Sequence, residues 1–114
     1  MSMDYYIAES HVSIPAENIP EINAFLAQKY GFEPVGVVKL THKDALGTAA
    51  DIEGWKVLYD YDGNVKEIRR KFEYDNTDGL NWLRTIAKWV DAGSYVEVMV
   101  EHDYSYRVMF NGTR

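Results

Sequence analysis

The chain has 114 residues, a hydrophobic fraction of 46% and a formal charge of -6, which suits one domain able to bury a core without disulfides or a structural metal. Cysteine is absent, which excludes disulfide frameworks, thiolate metal sites and cysteine nucleophiles and fits a reducing compartment. The negative charge disfavours direct nucleic-acid binding.

The first residues, Met1-Ser2-Met3-Asp4-Tyr5-Tyr6, contain no basic region leading into an apolar run. No segment reaches the ~20 apolar residues of a membrane helix, so the expectation is a cytoplasmic protein without membrane contact. Tyr5 to Ile14 reads as a first strand whose weak alternation suggests cover on both sides, ended by Pro15. Asn18-Ile19-Pro20-Glu21 has the spacing of a capping box, with Asn18 as N-cap. Ile22, Phe25, Leu26 and Tyr30 then form one helical stripe, closed by Gly31.

The stretch from Phe32 to Gly54 is hardest to read. A short strand is expected at Val35 to Leu40, and a short helix capped at Thr48. Trp55 to Tyr74 is a hairpin turning at Asp62-Gly63, with Ile68, Phe72 and Tyr74 on one face of the return strand and Glu67, Arg69, Lys71 and Glu73 on the other.

A second main helix is expected after Asn76, Thr77 or Asp78. Leu80, Trp82, Leu83, Ile86, Ala87, Trp89 and Val90 cover its buried half, and Gly93 closes it. Ser94 to Phe110 forms a second hairpin, with Val96, Val98 and Val100 on one strand and Tyr104, Tyr106, Val108 and Phe110 on the other. The expected architecture is a single α+β domain over residues 1–114, with an antiparallel sheet of about five strands and two main helices packed on one face.

Asp60-Tyr61-Asp62-Gly63-Asn64 looks like the start of a calcium loop. An EF-hand requires glycine and glutamate where Val65 and Lys71 stand, so the segment reads as a turn. His11, His42 and His102 lack the spacing of metal ligands, and no nucleophile elbow, P-loop or dinucleotide motif occurs. Lys66, Arg69, Arg70 and Lys71 alternate between strand faces and make no single basic stripe. The expectation is therefore a protein that is not an enzyme and has no cofactor or metal. The candidate interface is Tyr59, Tyr61 and Asp62 on the first hairpin, with Glu101, His102, Asp103, Tyr104, Tyr106 and Arg107 on the second. Acids, tyrosines and an arginine together make interface chemistry.

Tyr5-Tyr6-Ile7 and Ile14-Pro15-Ala16-Glu17-Asn18 near the start, and Asp91-Ala92-Gly93-Ser94-Tyr95, Glu101-His102, Tyr106-Arg107, Phe110 and Asn111-Gly112 near the end, form a recognisable set. In these residues the chain resembles a family of small, mostly uncharacterised proteins of bacteriophages and bacterial mobile elements. His102 stands where that family carries a second acid, and Tyr106 where it carries tryptophan. The resemblance implies a phage-type accessory protein in the host cytoplasm that binds and inhibits a host protein, such as a defence or nucleic-acid-processing factor. Two alternatives stand beside it. One is a small-ligand or nucleotide-sequestering protein, with Tyr and Trp stacking on a base and Arg69, Arg70 or Arg107 on phosphate. The other is a structural or assembly protein. Exposed hairpin edges also permit a homodimer through sheet pairing.

Overall fold

The computed structural model describes residues 4–72, 77–101 and 103–112. Both hairpins form where turn chemistry and alternation place them. The first pairs β2 (Trp55–Tyr59) with β3 (Val65–Arg70), and the second pairs β4 (Tyr95–Val100) with β5 (Ser105–Met109). The first strand, β1 (Tyr5–His11), pairs antiparallel with β4, from Tyr5 opposite Val100 to His11 opposite Tyr95.

The fold is α+β with five antiparallel strands among the described residues, but they make two sheets rather than one: β1-β4-β5 and β2-β3. The sheets touch where Ile14 and Val65 exchange backbone hydrogen bonds of 3.0 and 2.8 Å. The Ser10 hydroxyl donates to the Ile68 carbonyl farther along. The register shifts at Ala8 in β1 and at Lys66 in β3. Each bulge adds local twist and interrupts an edge, which accounts for two strands that meet at one end without continuing as a ladder.

The first long helix, α1 (Ile19–Tyr30), starts and stops as expected, with Gly31 left-handed at φ 73°. The expected capping box does not form. Asn18 Nδ2 donates to the Trp89 carbonyl at 3.0 Å, and Glu21 Oε2 accepts from Trp89 Nε1 at 2.9 Å. Both side chains serve a tertiary contact instead of the helix end. The helix buries Ile22 and Leu26, whereas Phe25 stays partly exposed against the Trp89 ring.

The middle of the chain departs most from expectation. No strand forms at residues 35–40. The second helix, α2 (Ala45–Ile52), begins one turn earlier than expected, because Asp44 rather than Thr48 caps it. Asp44 Oδ1 accepts from the Gly47 amide at 2.8 Å. Thr48 is buried inside the helix, where its hydroxyl donates to the Asp44 carbonyl and accepts from the Thr41 and His42 amides. This helix packs against α1 and β2.

The expected helix over Leu80 to Val90 is broken in two, α3 (Asn81–Thr85) and a 3-10 turn at Ala87–Trp89. The Thr85 hydroxyl donates to the Trp82 carbonyl, and Ile86 and Trp89 donate three residues back. Side-chain competition for carbonyls and a run of Trp, Thr, Ile and Trp weaken continuous helix. The burial pattern survives the break: Trp82, Leu83, Ile86, Trp89 and Val90 are all in the core. Asp78 supplies cap chemistry, its carboxylate accepting from the Leu80 amide at 3.1 Å. The two longest helices are therefore α1 and α2. Phe72, expected beside Ile68, is exposed, and Glu73, Tyr74 and Asn76 lie outside the described residues. One core draws on both sheets and all the helices, with Trp55, Phe32, Ile14, Ile22, Leu46 and Ile68 among its fully buried side chains.

Candidate functional site

The hairpin residues do not converge. The turn at Tyr61–Gly63 sits beside Ala16, whose amide donates to Asn64 Oδ1 at 2.8 Å, just past the end of β1. The turn at Glu101 sits beside the start of β1, its amide donating to the Asp4 carbonyl at 2.9 Å. Extended chain rises ~3.3 Å per residue, so ten residues from Asp4 to Ile14 separate the two turns by about 30 Å.

At the first turn, Asp60 Oδ1 accepts from the Asp62 and Asn64 amides at 2.9 Å each, and Oδ2 accepts from Asn64 Nδ2 at 3.1 Å. The Asn64 side chain, foremost among these donors, holds the Asp60 carboxyl below its usual range. This calcium-like segment is a closed turn with Asp60 committed to it. Tyr61 projects fully into solvent from the tip. Tyr59 points instead into the body of the protein, half-buried, its hydroxyl donating to Asp44 Oδ2 at 2.7 Å. Desolvation, reinforced by the Asp44 carboxylate, pushes that hydroxyl pKa up.

The second hairpin splits its candidates between two faces. The Tyr106 hydroxyl donates to Asp78 Oδ2 at 2.6 Å, and the Tyr104 ring lies 6.0 Å from the Tyr106 ring. Burial raises the Tyr106 pKa, with Asp78 adding to it. On the other face, Arg107 Nη2 contacts Glu97 Oε1 at 3.2 Å and its guanidinium sits 4.0 Å from the Tyr95 ring centre. Tyr95 in turn donates to Glu9. Asp103 and Tyr104 are exposed at the tip, Glu101 is partly covered, and His102 lies outside the described residues. Arg107 is thus engaged in cross-strand pairing, while Asp103 and Tyr104 face solvent.

Sequence reasoning missed a different surface. The loop that follows α1 exposes Val35, Val37 and Val38, with Val37 at 93% exposure. Such exposure normally accompanies a loose segment, but this loop is braced. The Gly36 amide donates to the Phe32 carbonyl at 2.7 Å, Val38 to Gly31 at 2.9 Å, and Glu33 to Val38 at 2.9 Å. Gly36 fits only because it has no side chain, since a Cβ there would lie 2.3 Å from the Gly31 oxygen. Beneath the loop the Phe32 ring stacks on Tyr30 at 5.4 Å, and the Tyr30 hydroxyl donates to Glu53 just past α2. Ile52 is exposed next to Glu53, and exposed Phe72 packs against Gly54. Exposed apolar side chains thus follow the C-terminal ends of both α1 and α2, which the Tyr30–Glu53 hydrogen bond ties together. The apolar run Val35-Gly36-Val37-Val38 was the signal in the sequence, but such a run reads equally as a buried strand.

Comparisons with protein-family models, with curated proteins and with solved structures find no significant match to this chain.

Proposed function

We propose that this protein is a non-enzymatic binding protein that docks on another protein through its valine-bearing loop. The observation that carries the reading is the combination of exposure and bracing at Val35, Val37 and Val38. Contiguous exposed apolar residues mark interaction surfaces on soluble domains. Rigid presentation lowers the entropy lost on docking. Burying each valine in a partner is worth about 1.5 kcal/mol or more.

The target, on the strength of the phage-type sequence resemblance, is a host protein such as a defence or nucleic-acid-processing factor, which the docked protein inhibits. The tyrosine-bearing tips of the two hairpins are too far apart to share one small epitope with each other. The test is affinity capture from bacterial host extract with the wild-type protein and with Val37→Asp. The expected result is one stoichiometric protein recovered by the wild type, purified and confirmed by direct titration. Val37→Asp should bind it at least about tenfold more weakly, a change of ~1.4 kcal/mol, at unchanged fold. Recovery of no stoichiometric partner, or equal binding by the variant, refutes the proposal.

A further inference from the structure

A cleft of about 460 Å³ lies between α2 and the face of β2, away from the valine loop's own tip. Its volume falls within the ~300–1,000 Å³ of small-ligand sites. Val57 and Tyr59 supply the apolar floor, backed by the fully buried Trp55, and Gly47 lies on the helix wall. Lys43, Lys56 and Lys71 line it from three separate segments: the approach to α2, strand β2 and the exit from β3.

The charge of this cleft opposes that of the molecule. Among the described residues, three lysines and two aspartates line it, in a chain of formal net charge -6. The two acids are already engaged. Asp44 accepts from the Gly47 amide at 2.8 Å and from the Tyr59 hydroxyl at 2.7 Å. Asp51 pairs with Lys71, and with His42 at 3.4 Å. Among the described residues, Lys43 and Lys56 have no carboxylate partner. Lys43 instead holds its ammonium 3.6 Å from the Tyr59 ring centre. That ammonium covers the Tyr59 face, so a ring stacking there displaces it and leaves it beside the aromatic floor, free to meet an anion.

We infer that the cleft between α2 and β2 binds a small anion bearing a planar ring, of the size and class of a nucleoside monophosphate. Lys43 and Lys56 meet the phosphate, and the ring lies on Val57 and Tyr59. The Asp44–Tyr59 pair at the floor fixes orientation by hydrogen bonding to the ring's edge. The Tyr59 hydroxyl gives its one proton to Asp44 Oδ2 at 2.7 Å, so toward the ring's edge this pair presents acceptors. The arginines expected to meet phosphate are elsewhere. Arg69 pairs with Glu67 at 3.0 Å, Arg70 sits 5.2 Å from the Trp55 ring centre and donates to the Asp78 carbonyl, and Arg107 is on the other hairpin.

The site is tested by amide chemical-shift titration of the full chain with a set of ribonucleoside monophosphates. Inorganic phosphate and uncharged nucleosides serve as controls. The expected result is saturable shifts at millimolar ligand or below, centred on His42, Gly47, Val57 and Tyr59, with both controls much weaker. A Lys43→Gln, Lys56→Gln double variant, altered only at exposed positions, should retain its dispersed spectrum and bind about tenfold more weakly. No saturable shift with any nucleotide, shifts that map outside the cleft, or unchanged binding by the double variant would each overturn the inference. Phosphate binding as tightly as the nucleotides would overturn the assignment of the ring. Val37→Asp should leave this titration unaltered, which separates the cleft from the docking surface.

Discussion

The three tryptophans provide an internal experiment on buried polar groups. Trp55 Nε1 donates to the Gly79 carbonyl at 3.0 Å, and Trp89 Nε1 donates to Glu21 at 2.9 Å. Trp82 is 3% exposed, and its Nε1 has no hydrogen-bond partner among the described residues. Replacing any of them by Phe removes a similar volume, roughly 40 Å³, which costs about 1 kcal/mol at ~24 cal/mol per Å³ of unfilled cavity. That cost is common to all three and cancels in a comparison. At Trp82 the substitution also removes a desolvated, unpaired N–H, returning about 1–3 kcal/mol. At Trp55 it strands the Gly79 carbonyl and costs a similar amount. Trp82→Phe is therefore expected to be neutral or stabilising and Trp55→Phe destabilising by at least about 2 kcal/mol. Trp89→Phe falls between, because the Glu21 carboxylate can turn to water. Urea unfolding should show the order at unchanged m-value, and thermal midpoints should separate by at least roughly 8 °C between the extremes. If Trp82→Phe loses as much stability as Trp55→Phe, the hydrogen-bond reasoning is wrong.

Gly36→Ala should disrupt the valine loop, because its Cβ meets backbone at 2.3 Å rather than a yielding side chain. Captured partner should be lost, with amide shifts confined to residues near the loop. Asp44→Ala should cost about 1–2 kcal/mol from the cap alone and more through the unpaired Tyr59 hydroxyl, while Asp44→Asn, which keeps an acceptor, should cost less; urea unfolding distinguishes them. Asp60, through the Asn64 side chain, and Asp51, through Lys71, have carboxyl pKa values below the ordinary range. The same holds for Asp78, where burial opposes the shift but Tyr106, Leu80 and Arg84 outweigh it. Their contribution to stability is present above the ordinary value of about 4 and is lost as pH falls through the lower folded values. Asp60→Asn should make the acid limb of a stability–pH curve shallower, and an unchanged slope would contradict this. Tyr30, Tyr59 and Tyr106 have pKa values raised chiefly by desolvation. The stability they add is complete below about pH 10 and is lost at higher pH, so their share of the phenolate absorbance should rise only as the fold is lost.

Local encoding explains which expectations the structure reproduces. Alternation in Val96, Val98 and Val100 places those side chains in the core, and Asp62-Gly63 sits at a turn between paired strands. Gly31 ends its helix with the positive φ that glycine tolerates best. Even the broken helix buries the predicted residues except Ala87, which is partly covered, because a 3-10 turn keeps nearly the same face inward. The failures have a common origin in long-range partners. Asn18 and Glu21 have capping spacing but bond to Trp89, which lies far along the chain. Thr48 looks like a cap, yet its hydroxyl is enclosed by Thr41, His42 and Asp44. The two hairpin tips share a composition that suggests one surface, but β1 holds them at opposite ends.

The amino-acid sequence by itself determined the α+β character, both hairpins, the first helix and most of the core. Those features depend on periodicity and on turn residues acting within a few positions of one another. Tertiary structure decided that the five strands divide into two sheets, that the valines after α1 face outward on a braced loop, and that lysines from three segments line one cleft beside α2. A side chain's exposure and its charged neighbours are set by segments distant in the chain, and no local pattern records where those segments will lie.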